Sequence, residues 1–139
     1  MITDRLTKLT NDYIAQTDDL IQNRRPGEGI FGLPDSAKSA PCHMEYYHNM
    51  EAAVQELAGD KPDAEAAEQL VRFLLTAEEA FPCSQLASWT LLAVQRLSLP
   101  LIPHIPPERR KELAGWFGKK VPRLQRMPVQ QEIYKALKK

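Results

Sequence analysis

The segment at residues 41–48 holds the densest group of chemically active side chains in the sequence. Within it stand one cysteine, two histidines and one glutamate: Cys42, His43, Glu45 and His48. Thiolate, imidazole and carboxylate are the ligand types that zinc accepts. A cysteine beside a histidine is also the pair that a nucleophilic thiol needs, with the imidazole as its base. The segment therefore suggests two chemistries, a metal site and a reactive cysteine.

Helical geometry limits which of these side chains can act together. At about 100° per residue, His43 aligns with the apolar face that carries Tyr47 and Met50, whereas Glu45 and His48 fall on the far side. Four ligands cannot converge on one ion from a single regular helix. A second element of the structure would have to complete any metal site.

A second cysteine, Cys83, lies on another predicted helix, which could be that second element. We place Cys42 in the first turn of one helix and Cys83 at the start of another, where the positive end of the helix dipole lowers the pKa of a thiol. In an antiparallel succession these two helices run in parallel, so their N-terminal ends meet the glycine- and proline-rich loop 25–40 at one end of the domain. Cys42, His43 and Cys83 are therefore the candidate zinc ligands or reactive groups. Plain packing is the competing interpretation, because cysteine is often buried.

The elements that position these residues are predicted to be helices. Apolar residues recur three or four positions apart in six stretches, and no stretch alternates as a strand does. The predicted helices cover residues 2–22, 41–58, 62–80, 84–98, 107–117 and 128–137. A chain of 139 residues fits a single domain, 1–139. The expected fold is all-α, either an irregular bundle or a short stack of helical hairpins.

A weak internal repeat favours the stack of hairpins. Ala-Val-Gln-Glu-Leu at 53–57 resembles Ala-Val-Gln-Arg-Leu at 93–97, and a proline and a cysteine precede each copy. The two copies lie about 40 residues apart, which is the period of HEAT-type helical repeats. The offset is 41 residues at the start of the copies and 40 at their end, and chance similarity is the better explanation of the match.

The glycines at 27, 29 and 32 match the G-x-G-x-x-G pattern of dinucleotide-binding folds. That pattern binds pyrophosphate only where it follows a strand and opens a helix. Here it follows a predicted helix ending at Arg24 and Arg25, and no helix opens at Gly32. We interpret the segment as a loop and expect no nucleotide cofactor.

The net charge of the whole chain is zero, but basic and acidic residues are unevenly distributed along the sequence. The 18 basic and 18 acidic residues cancel. Residues 1–107 carry 8 basic and 15 acidic side chains, whereas the segment 108–139 carries 10 basic and 3 acidic ones. A net charge of zero gives no overall attraction to nucleic acid or to anionic membranes. We expect the basic segment 108–139 to dock on acidic residues of the same or a neighbouring subunit, with nucleic-acid binding as the alternative.

The beginning of the chain and its two cysteines point to the cytoplasm. The N-terminal residues lack the basic and apolar regions of a signal peptide. The most apolar stretch, 86–105, is broken by Pro100 and Pro103 and is not expected to cross a membrane. Without an export signal, two cysteines are expected to be free thiols in a reducing compartment.

No coherent catalytic set emerges from these residues, so the sequence favours a non-enzymatic protein-interaction module over an enzyme. Its expected partner is another protein or a second copy of the chain. Two alternatives stay open: a metal- or thiol-dependent site at Cys42, His43 and Cys83, and nucleic-acid binding by the segment 108–139.

Overall fold

The computed structural model describes residues 2–22, 36–81 and 88–139, and within these ranges it contains six α-helices and no strand. The helices are α1 (Asp4–Gln22), α2 (Ser36–Ala58), α3 (Ala64–Thr76), α4 (Ser88–Arg96), α5 (Pro107–Lys120) and α6 (Pro128–Lys138). Short 3-10 helices follow at Ala77–Ala80, Ile102–His104 and Arg123–Gln125. The all-α fold predicted from the sequence is confirmed. No helix in the described part of the chain has the length and hydropathy needed to cross a membrane.

The helices share one hydrophobic core. α1 packs on α2, α2 on α4, α4 on α6 and α6 on α5, while α3 contacts both α2 and α4. Each helix buries a stripe of side chains in the core, as α3 illustrates: its buried residues are Ala67, Leu70, Val71, Leu74 and Leu75. This spacing of three and four residues produces a single apolar face on a helix. At the start of α3, the Asp63 carboxylate caps the helix by accepting a hydrogen bond from the Ala66 amide at 2.7 Å.

α2 and α4 lie side by side and run in the same direction. The α2 segment 43–48 borders the α4 segment 89–93 along one groove. Further along, residues from 51–58 border residues from 97–101 along another. The parallel course of the two helices, which the alternation of helices predicted, therefore holds for the described residues.

The start of α2 differs from the prediction. The helix begins at Ser36 and not at Pro41, so Pro41 lies inside it. Residues 36–40, which were assigned to the loop 25–40, are helical, and residues 25–35 lie outside the described ranges. A proline inside a helix lacks the amide proton for one backbone hydrogen bond, yet the chain continues through it. As a result, Cys42 is more than one turn from the helix start, and the dipole argument for a lowered thiol pKa does not apply to it.

The end of α2 follows the prediction closely. Gly59 adopts a φ of 67°, the left-handed conformation that typically ends a helix. Its amide donates a hydrogen bond to the Gln55 carbonyl at 3.0 Å. Gly59 thereby turns the chain out of α2 and towards α3.

Replacing Gly59 with alanine is expected to lower the free energy of unfolding by about 1 kcal/mol. A Cβ at Gly59 would meet no atom within 4 Å, so the cost is backbone strain alone. Gly115, inside α5, has equally open surroundings, and Gly115→Ala should raise the free energy of unfolding by up to about 1 kcal/mol. Urea unfolding of both variants provides the test. A destabilised Gly115→Ala together with an unchanged Gly59→Ala would contradict the backbone assignment.

Candidate functional site

A polar cluster, buried in one part and half-buried in the other, joins α1, α2 and α4. It consists of Thr10, Tyr13, His43, Tyr46 and Thr90, and we call it the Tyr13 cluster. The rings of Tyr13 and Tyr46 stack with centroids 4.1 Å apart and planes 8° from parallel. Both tyrosines are almost fully buried. The Tyr46 hydroxyl reaches that of Thr10 at 2.9 Å, so the buried polar atoms at this end of the cluster are paired.

The hydroxyl of Tyr13 forms the other half of the cluster. It lies 2.5 Å from Nδ1 of His43 and is also hydrogen-bonded to the side chain of Thr90. Burial raises the pKa of Tyr13 to about 12, and burial lowers the pKa of His43. Both side chains are therefore neutral at neutral pH.

Cys42 is a free, half-buried thiol beside this cluster. Burial, reinforced by the nearby Glu45 carboxylate, raises the pKa of the Cys42 thiol. A raised pKa keeps the sulfur protonated at neutral pH, whereas a nucleophilic cysteine needs the thiolate. Moreover, Nδ1 of His43 is already engaged by Tyr13. The structure therefore gives Cys42 neither of the two features expected of a reactive thiol.

The metal hypothesis involves residues that the structure describes only in part. In the described ranges, no group of three or more histidine, cysteine, aspartate or glutamate side chains could hold a metal ion. Cys83 lies outside those ranges. A zinc site formed by Cys42, His43 and Cys83 stays a prediction. Glu45 and His48 are exposed as predicted, with Glu45 on the side facing α1 and His48 on the side facing α4.

A shallow apolar groove runs from the Tyr13 cluster across α2, α4 and α6. Two adjoining depressions of about 340 Å³ and about 550 Å³ share Tyr47, Trp89 and Ala93. Six large apolar side chains form its walls, namely Met44, Tyr47, Trp89, Leu92, Met127 and Val129. We call this surface the Trp89 groove. Trp89 is 78% exposed and Met44 is 60% exposed, an arrangement of large apolar side chains that is characteristic of interaction surfaces.

The two ends of the Trp89 groove differ in polarity. His43, His48 and Thr90 line one end, and no carboxylate lines that end within the described residues. Towards α6, Arg96 and Glu132 form an exposed ion pair at 3.2 Å. Because these two charges are paired with each other, the middle of the groove is apolar and close to neutral.

The sequence does not reveal this groove, because large apolar residues at helical spacing are usually core residues. Trp89 and Met44 have such a spacing, but both are exposed. α4 buries Leu91 and Val94 and turns Trp89 outward. The one available signal was that apolar residues surround α4 on most sides. That pattern indicates a central helix, or equally a helix with one face left open for a partner.

The basic C-terminal segment docks on the acidic part of the same chain. The guanidinium group of Arg109 donates two hydrogen bonds to the Glu68 carboxylate, at 2.7 and 3.1 Å. Lys120 lies between Glu78 and Glu79, at 2.9 and 2.5 Å. The hydrogen bond from Arg109 lowers the pKa of Glu68. Two of the cations that nucleic acid would need are thus already paired with carboxylates.

We expect the free energy of unfolding to fall as the pH decreases below about 6.5, the ordinary pKa of histidine. Since burial lowers the pKa of His43 in the folded chain, the unfolded chain binds a proton there first, and protonation favours unfolding. His43→Asn should remove this dependence, because its amide oxygen can replace Nδ1 as the acceptor for Tyr13. His48→Gln, on the exposed side of the same helix, should retain it. Thermal unfolding between pH 5 and pH 8 measures both; an identical pH slope in His43→Asn and the parent chain would contradict the assignment.

The chain matches no model of a known protein family, no curated protein and no solved structure.

Proposed function

We propose that this chain is a non-enzymatic protein-interaction module, and that it binds an amphipathic helix of another protein in the Trp89 groove. The observation that carries the proposal is the 78% exposure of Trp89 at the centre of an apolar surface. Tryptophan is among the residues most enriched at the energetic centres of protein interfaces. Because Trp89 is exposed, its side chain adds little to the packing of the hydrophobic core, and an interface accounts for it better.

The shape and charge of the groove favour a helix as the occupant. The groove is open, with apolar walls on α2 and on the α4–α6 side. A helix that carries apolar residues at positions i, i+3 or i+4, and i+7 fills such a surface. The pairing of Arg96 with Glu132 leaves the centre without an uncompensated charge, which suits an apolar helix face. Flexible methionines such as Met44 and Met127 help a groove adapt to the side chains of a partner.

Screening a display library of short amphipathic helices against the full chain tests the proposal. We expect binding peptides to perturb the NMR signals of Tyr47, Leu92 and Val129, and to bind Trp89→Ala much more weakly. Leu124→Ala is the matched control, because Leu124 is 99% exposed and lies outside the groove.

Two results would overturn the proposal. One is a library that yields no binder, or only binders that Trp89→Ala retains. The other is a concentration-dependent dimer that disappears in Trp89→Ala, since a second copy of the chain would then occupy the groove.

The proposed compartment is the cytoplasm. Cys42 is a free thiol, which is the form expected of cysteine in a reducing environment.

A further inference from the structure

A second cleft, of about 450 Å³, lies between the C-terminal half of α2 and the residues that follow α4. Its α2 wall is a single helical face, because residues 51, 54, 55 and 58 recur at intervals of three and four positions. The opposite wall comes from the segment 97–104, and the turn after α2 adds Gly59, Asp60 and Pro62. We call this surface the Glu51 cleft. It shares no residue with the Trp89 groove, and its volume falls in the range of small-molecule sites.

The Glu51 cleft carries two carboxylates with apolar surface between them. Glu51 lies about 10 Å before the end of α2 at Ala58, at a rise of about 1.5 Å per residue. Asp60 stands in the turn that follows that end. Val54, on the stretch of α2 between them, and Leu101, on the opposite wall, are almost fully buried and form apolar walls. The two carboxylates are therefore on the order of 10 Å apart along an apolar path.

No cation of the chain neutralises these two carboxylates. Within the described residues, neither Glu51 nor Asp60 forms an ion pair, and no lysine or arginine lines the cleft. One oxygen of Glu51 accepts a hydrogen bond from the Tyr47 hydroxyl at 3.2 Å, which leaves the other oxygen for a ligand. The last turn of α2 contains no basic residue, so the negative end of its helix dipole adds to the charge near Asp60. The electrostatic potential of the cleft thus favours cations at both ends.

An organic cation suits this arrangement better than a metal ion. Metal–oxygen distances are about 2.0–2.6 Å, so two carboxylates on the order of 10 Å apart cannot share one ion. An ammonium group pairs with a carboxylate, and a methylene chain packs on apolar side chains as the stem of lysine does. A methylene chain with an ammonium group at each end matches both features of the cleft.

We infer that the Glu51 cleft binds a linear aliphatic diamine or polyamine, with one ammonium group at Glu51 and another at Asp60. The methylene chain between them lies against Val54, Leu97 and Leu101. A short diamine reaches one carboxylate only, and a simple alkylamine leaves the second carboxylate unpaired. The site is separate from the Trp89 groove, so the failure of either proposal leaves the other unaffected.

Titration of the full chain with diaminooctane, followed by NMR of the methyl groups, tests the inference. The titration is made at pH 8, well above the usual pKa of histidine, because His104 also lines the cleft. We expect saturable shifts of the Val54, Leu97 and Leu101 signals. Octylamine should bind about two- to fivefold more weakly, since it forms one exposed ion pair fewer. Diaminopropane, which is too short to span the cleft, should bind at least as weakly as octylamine.

Variants of the two carboxylates test their roles directly. Glu51→Gln and Asp60→Asn each remove one charge and keep the size of the side chain. Each should weaken the binding of diaminooctane about two- to fivefold, and both together about tenfold. Glu45→Gln removes the same charge from the side of α2 that faces α1 and should leave the affinity unchanged. Since none of the three side chains is buried, all of these variants are expected to fold.

Several results would overturn the inference. One is a titration in which the signals of the cleft do not shift, or shift without reaching saturation. Equal affinities for octylamine and diaminooctane would show that the second carboxylate takes no part. Binding that survives in the double variant, or that falls as much in Glu45→Gln, would reduce the effect to the general attraction of a dication to an acidic surface.

Discussion

Replacing Tyr13 with alanine should lower the free energy of unfolding by about 3–5 kcal/mol, the usual cost of deleting a large buried aromatic ring. Tyr13 is 2% exposed and lies where three parts of the chain meet. Its ring stacks on Tyr46 and makes edge contacts with His43 and with Phe81, the latter with centroids 5.6 Å apart. Truncation would remove these contacts together and open a cavity between α1 and α2.

A matched variant, Tyr13→Phe, separates the ring from its hydroxyl. It keeps the stacking but leaves Nδ1 of His43 and the hydroxyl of Thr90 without their partner. The expected loss is about 1–3 kcal/mol, the cost of leaving buried polar groups unsatisfied. Urea unfolding followed by circular dichroism measures both variants. An alanine variant no less stable than the phenylalanine variant would show that the ring does not join the helices as described.

Trp89→Ala should reduce the affinity for a bound helix by about 30-fold or more, the loss typical of an energetic centre in an interface. The same change should alter the free energy of unfolding by no more than about 0.5 kcal/mol, because substitutions of exposed side chains have small effects on stability. Leu124→Ala, at a side chain that is 99% exposed, should change neither quantity. Titration calorimetry with a selected peptide, paired with thermal unfolding, checks the prediction. A Trp89→Ala chain that is strongly destabilised would show that Trp89 has a packing role and would count against the groove.

Within residues 2–22, 36–81 and 88–139, hydrophobic periodicity was sufficient to predict the number and order of the α-helices. The reason is visible in α3, where the buried residues follow the spacing of one helical face. The end of a helix was also predicted correctly where the backbone requires glycine, as at Gly59, which has a φ of 67°. The predicted start of α2 was wrong because Pro41 was interpreted as a proline of the first helical turn. The alanines and the lysine that precede it favour a helix. A proline limits where a helix starts far less than a glycine of positive φ limits where it ends.

The candidate site was predicted only in part, because its members meet through packing. His43 was correctly singled out by its residue type, but its partner Tyr13 stands 30 residues earlier, and no local pattern links the two. The buried tyrosine of α2 is Tyr46 rather than the half-buried Tyr47. A small rotation of α2 about its axis exchanges them, and periodicity does not fix that angle within the width of one side chain. Exposure of Trp89 depends on how α2 and α6 flank α4, which is a property of the assembled helices.

His43 and Thr90 belong to both the Tyr13 cluster and the Trp89 groove. Occupancy of the groove would therefore be linked to the docking of α1 for any ligand whose affinity depends on Tyr13 being in place. A ligand that prefers the arrangement with Tyr13 in place stabilises the attachment of α1, and the attachment of α1 raises the affinity for the ligand by the same factor. At a free concentration about 100 times its dissociation constant, such a ligand would add about 2.7 kcal/mol to the stability of the chain. A partner bound on one side of α2 would thereby change the stability with which α1 packs on the other side.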